Sequence, residues 1–105
     1  LNKLDEAVNE YRMAIWINPL NITAYKNLSI TYEEMGDYDN AIATYNKLLS
    51  LKPNDPVLFS NLANVLYLAG DIPGSINAYQ SAISLNPNKY WTSVVAQTLG
   101  YVFQE

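Results

Sequence analysis

Apolar side chains recur along this chain at steps of three, four and seven residues. Ala41, Ile42, Tyr45, Leu48 and Leu49 form one stripe; Ala7, Val8, Tyr11, Ala14 and Ile15 form an earlier one, and Ile76, Tyr79, Ala82 and Ile83 a later one. A second kind of stripe runs through Tyr25, Leu28, Tyr32 and Met35, and again through Phe59, Leu62, Leu66 and Ala69. Such spacing puts side chains on one face of an α-helix. The stripes return every 34 residues, in step with Pro19, Pro53 and Pro87, and Gly36-Asp37 returns as Gly70-Asp71. Independent features with one period make the chain a tandem repeat with two helices in each period.

The residues between stripes mark the helix ends. Gly36 and Gly70 are expected just past a helix C-terminus, where φ turns positive. Asp37 and Asp71 are expected to cap the helix that follows, and Asn21, Asp55 and Asn88 the others, with Pro56 suited to a first helical position. Each periodic proline falls past a helix end and keeps it from running on. These signals predict helices near 3–17, 22–35, 38–51, 56–69, 72–85 and 90–104.

This pattern resembles the tetratricopeptide repeat, whose signature is W-x2-L-G-x2-Y, then A-x3-F, then P. The chain has Tyr25-x2-Leu28-Ser29-x2-Tyr32, Ala41-x3-Tyr45 and Pro53, then Phe59-x2-Leu62-Ala63-x2-Leu66, Ser75-x3-Tyr79 and Pro87. Ser29 and Ala63 replace glycine and remain small enough for close helix packing. Leu66 stands for an aromatic and Ser75 for alanine, which predicts a looser second repeat. The resemblance implies an all-α fold, a right-handed superhelical α-solenoid of antiparallel helix pairs. It divides a single array over 1–105 into the second half of a repeat (1–21), complete repeats at 22–55 and 56–89, and a first or capping helix at 90–105. In that last segment Leu99-Gly100-x2-Phe103 fits the signature three residues late.

Composition removes several kinds of function. Net charge is −4, from 10 acidic and 6 basic side chains, which argues against a nucleic-acid binder built on clustered cations. The absence of cysteine removes disulfides and thiolate metal sites, and the absence of histidine removes the commonest general base and zinc ligand. The densest carboxylate group is Glu33, Glu34, Asp37 and Asp39, but Asp37-Tyr38-Asp39-Asn40 lacks the glycine turn and distal glutamate of a calcium loop. No nucleophile with a partner lies nearby, so a solvated helix end is the reading and no enzyme, metal or cofactor is expected. No apolar run approaches the length of a membrane span. No signal peptide is visible, and the chain opens inside a repeat, so more sequence is expected before residue 1.

The resemblance implies a protein or peptide ligand held in a concave groove lined by the first helix of each pair. The groove candidates are Lys26, Asn27, Ile30 and Glu34 on one such helix and Ser60, Asn61, Asn64 and Tyr67 on the next, flanked by Thr23, Glu33, Val57 and Leu68. Asn27 and Asn61 are repeat equivalents. An asparagine amide offers a donor and an acceptor together and can pair with any peptide bond. The pair resembles the asparagine ladder of O-linked N-acetylglucosamine transferases; the competing reading is two solvated asparagines in an asparagine-rich chain. Relatives that clamp acidic chaperone tails use groove lysine, arginine and asparagine. Lys26 and Asn61 fit that clamp; Ile30, Val95 and Thr98 do not, and Glu33 and Glu34 carry the wrong sign.

A second hypothesis is self-association through the ends of the array, which bury their apolar faces only by stacking. Its candidates are Tyr11, Trp16, Tyr90, Trp91 and Tyr101. Trp16 stands where the other repeats place Ser50 and Ser84.

Overall fold

The computed structural model describes residues 2–86. They form five α-helices: α1 (Lys3–Ile17), α2 (Ile22–Glu34), α3 (Tyr38–Leu51), α4 (Pro56–Leu68) and α5 (Ile72–Leu85). No strand occurs among the described residues, and none of their helices is long and apolar enough to cross a membrane. The helix expected over 90–104, its cap Asn88, and Tyr90, Trp91 and Tyr101 lie outside the described residues. The chain divides into two compact units, Leu1–Pro53 and Asn54–Glu105. In the first unit α2 packs against both α1 and α3; in the second α4 packs against α5.

Local chemistry accounts for the helix ends. Asn2 Oδ1 accepts from the Asp5 N–H at 2.8 Å, and Asn21 Oδ1 from the Ala24 N–H at 3.0 Å. Asp55 Oδ1 accepts from Val57 at 3.0 Å and Leu58 at 3.4 Å, with Pro56 in the first turn, where its missing N–H leaves no bond unmade.

The Gly-Asp pairs join the two helices of a repeat. Gly36 has φ 74° and Gly70 φ 93°, the left-handed region that costs other residues about 1–2 kcal/mol. In the first turn the Gly36 N–H donates to the Glu33 carbonyl at 3.0 Å and the Asp37 N–H to the Tyr32 carbonyl at 2.9 Å. In the second, Gly70 donates to Tyr67 at 3.0 Å and Asp71 to Leu66 at 2.9 Å. These two bonds close the C-terminal carbonyls of the outgoing helix. The aspartate then caps the incoming one: Asp37 accepts from the Asn40 N–H at 3.3 Å and Nδ2 at 2.7 Å, and Asp71 from the Gly74 N–H at 3.0 Å. α2 and α4 each end one residue earlier than expected. Met35 and Ala69 are the caps leading into the glycine turn and are exposed, so neither extends the core stripe.

Between repeats the chain must not stay helical. Asn18, Lys52 and Asn86, each followed by a proline, have φ of −136°, −136° and −145°. A following proline disfavours the α region, and the cap N–H groups still donate back to Ala14, Leu48 and Ala82.

Inside the first unit Ala41, Tyr45, Leu48 and Leu49 on α3 and Tyr25, Leu28 and Tyr32 on α2 are buried, and the two helices pack together. Inside the second, Ala63, Ala78 and Tyr79 form a cluster with Leu66, Ile76 and Ile83 packed on it. Ser29 and Ala63 are both fully buried, as their small size predicts, and Ser29 Oγ donates to the Tyr25 carbonyl at 2.9 Å. The buried faces are wider than the stripes: Ala24 and Thr31 on α2 and Leu58 and Val65 on α4 also leave solvent. For α2 the reason is its two neighbours. On α1 only Val8 is buried, while Ala7, Tyr11, Ala14 and Ile15 stay half-buried.

Ser75 occupies the position of Ala41, and both are fully buried. Its hydroxyl finds no hydrogen-bond partner among the described residues. A buried polar group left unpaired destabilises, so Ser75→Ala should raise stability by about 1–2 kcal/mol. A urea titration reads this as a higher midpoint at unchanged slope; an equal or lower midpoint would show the hydroxyl is satisfied.

Candidate functional site

Once the core stripes are packed, the rotation of α2 and α4 is fixed, and so is what each turns outward. On α2 the outward residues are Thr23, Lys26, Ile30 and Glu34, with Asn27 half-buried beside them. On α4 they are Val57, Asn61, Asn64 and Leu68, with Ser60 and Tyr67 half-buried. Steps of four, three and four set Val57, Asn61, Asn64 and Leu68 in one row. Thr23, Asn27, Ile30 and Glu34 form the same row one repeat earlier.

The two equivalent asparagines are chemically available. The Asn27 main-chain carbonyl accepts from Thr31 Oγ1 at 2.8 Å, but its side-chain amide has no partner among the described residues. The Asn61 amide has none either. Ile30, Val57 and Leu68 add apolar surface, each about half exposed. No charged side chain lies on α4, whereas α2 carries Lys26, Glu33 and Glu34.

Glu33 is not a free surface charge. Tyr45, on α3, donates its hydroxyl to Glu33 Oε2 at 2.6 Å. Burial raises the Tyr45 phenol well above the ordinary tyrosine range, and the hydrogen bond and negative charge of Glu33 push in the same direction. With Asp37 occupied as a cap, two of the four clustered carboxylates have structural partners. Among the described residues no three His, Cys, Asp or Glu side chains converge to hold a metal. The Glu33 contact joins residues on different helices, and no local spacing announces it.

A second surface lies on α1. Asn9, Arg12, Met13 and Trp16 line a shallow depression, with Trp16 81% exposed. Met13, Ile17 and Leu20 are exposed beside it. On α3 the counterparts of Met13 and Trp16 are Lys47 and Ser50, also exposed. Among the self-association candidates Trp16 therefore stands outward and Tyr11 is half-buried. Met13 and Leu20 escaped notice in the sequence, although comparison at the repeat step finds them.

Several known structures share this helical fold. A family model described as TPR repeat matches residues 31–70. No curated protein matches the sequence. The crystal structure of MamA protein is similar with a TM-score of 0.77 and 24% identity, over 85% of this chain and 49% of that one. The structure of the first TPR of Spaghetti (RPAP3) bound to HSP90 peptide SRMEEVD is similar with a TM-score of 0.82 and 19% identity, over 97% of this chain and 79% of that one. MamA MSR-1 C2 gives 0.76 and 24%, over 81% and 49%. The chain thus spans about half the length of the two MamA chains. At these identities the likeness shows the fold, an all-α helical-repeat solenoid.

The Tyr45–Glu33 bond has a pH signature. Its folded pKa is raised, so the stabilisation is complete below the unfolded value of about 10 and is lost as pH rises above it. Tyr45→Phe should cost about 1 kcal/mol at pH 7 and should lose less stability than the parent between about pH 9.5 and 11. Parallel alkaline slopes in urea unfolding of the two proteins would contradict this.

Proposed function

We propose that the chain, whose residues 31–70 match the TPR repeat model, is a tetratricopeptide-repeat protein-interaction module that holds an extended peptide segment of a partner along the outward faces of its first helices. The observation that carries this reading is the pair of unengaged amides at equivalent positions, Asn27 and Asn61. Each can donate to and accept from a peptide bond, so the ligand is read through its backbone. On α2 the side-chain contacts are Lys26, Ile30 and Glu34; on α4 they are Ser60, Asn64 and Tyr67. The neighbour bound to the SRMEEVD peptide supports the class of function. The particular ligand differs, because Ile30, Glu33 and Glu34 leave Lys26 without the cationic company an acidic tail needs.

A net hydrogen bond contributes about 0.5–1.5 kcal/mol, so Asn27→Ala combined with Asn61→Ala should weaken a peptide ligand by roughly ten- to a hundredfold. Calorimetry with a binder selected from a peptide array measures it. An affinity that does not move would remove the backbone-reading role.

The exposure of Met13, Trp16, Ile17 and Leu20 favours a second reading, contact between copies of this chain through α1. Trp16→Ser should leave stability unaltered and lower the average mass seen by analytical ultracentrifugation at ~100 μM, well above the micromolar Kd that ~8 kcal/mol of association provides. A strictly monomeric parent at that concentration would eliminate it.

A further inference from the structure

Helices α4 and α5 contain no Asp, Glu, Lys or Arg. Between residues 56 and 86 the single charged side chain is Asp71, and its carboxylate is occupied as the α5 cap. A helix face left in water is ordinarily rich in charge. Burial within the fold does not explain the exception, because Val57 is 53% and Leu68 52% exposed and Asn61 and Asn64 between them are exposed as well. Loss of charge together with exposed apolar anchors is how the centre of a protein interface differs from the rest of a surface.

We infer that the Val57–Asn61–Asn64–Leu68 face of α4 binds an uncharged, non-helical stretch of a partner protein. The inference rests on the groove reading above and specifies its ligand. Two physical arguments fix the chemistry. A charged partner side chain laid on this row would lose hydration and gain no counter-charge, so the matching stretch is neutral. The Asn61 and Asn64 amides each offer a donor and an acceptor that match a peptide bond, and backbone groups are free to pair with them only where they are not already bonded within a helix, so the stretch is extended. Val57 and Leu68, about 16 Å apart along the helix, then receive apolar side chains at either end of the contact.

The test uses heptapeptides with acetylated and amidated ends on an array, followed by calorimetry on the full chain. One set contains only Leu, Ile, Val, Phe, Ser, Thr, Asn and Gln; a second adds a pair of acidic residues, a third a pair of basic ones. The uncharged set should give the tightest binders, with Kd changing less than about threefold between about 50 and 500 mM NaCl, since no surface charge is there to be screened. Val57→Glu and Leu68→Lys should each weaken them by more than about tenfold, because each leaves a charge desolvated and unpaired. Both variants place the charge where the helix dipole favours it, so the fold should hold, and a thermal melt checks this. Gln80→Lys, exposed on α5, should leave binding unchanged. If charged peptides bind tightest and remain sensitive to Asn27→Ala with Asn61→Ala, the inference falls and the groove reading stands. Uncharged binders indifferent to Val57 and Leu68 also overturn it. A mass that rises with concentration and reverts in Leu68→Lys would assign the face to a second copy and overturn it too. Failure of all three sets to bind removes both.

Discussion

Each helix pair depends on reversing the chain within three residues without leaving a buried polar group unpaired. Met35-Gly36-Asp37 and Ala69-Gly70-Asp71 meet that demand in the same way. Glycine supplies the positive φ, its N–H and that of the aspartate close the outgoing helix, and the aspartate carboxylate opens the incoming one. One residue thus serves both helices, which leaves no slack in the connection. A fixed turn of this kind orients the two helices, and only then do the stripes through Tyr25 and Leu28 and through Tyr45 and Leu48 meet. The fully buried Ser29 and Ala63 belong to the same constraint, because a larger side chain at either would hold the helices apart.

The outward faces follow from this packing. The turn sets the pairing and the pairing sets the rotation, so Asn27 and Asn61 each reach the surface of their own unit among residues the core cannot use. What they can do there is decided by their neighbours. Around Asn27 the neighbours include Lys26 and Glu34; around Asn61 they are uncharged. The same amide therefore works in two electrostatic settings on successive helices.

Much of this was legible in the sequence because its causes are local. Glycine before aspartate, asparagine before a helix and proline after one act over a few residues, and the five helices among the described residues begin where the sequence puts them. The early ends at Met35 and Ala69 arise from the same turn, which takes its first residue from the helix. The stripes missed Leu58 and Val65, since a stripe records one contact face while these positions belong to a wider one. The engagement of Glu33 by Tyr45 could not be read at all, because it depends on how α2 and α3 sit together. The uncharged face of α4 was present in the letters, but a chain-wide charge content of 15% averages it with the charged helices before it.

In a repeat the shared positions answer to the fold, so what is particular to this protein lies where equivalent positions differ. Position 16 holds tryptophan where the other repeats hold serine, and position 33 holds a glutamate where its counterpart is Tyr67. The clearest difference is distributed over whole helices: α1, α2 and α3 carry charges on their exposed sides, and α4 and α5 carry none. The turn chemistry that builds the two repeats is nevertheless the same. Folding therefore does not require the charges to be absent from α4, and the cause of their absence is to be sought in what meets its outward face.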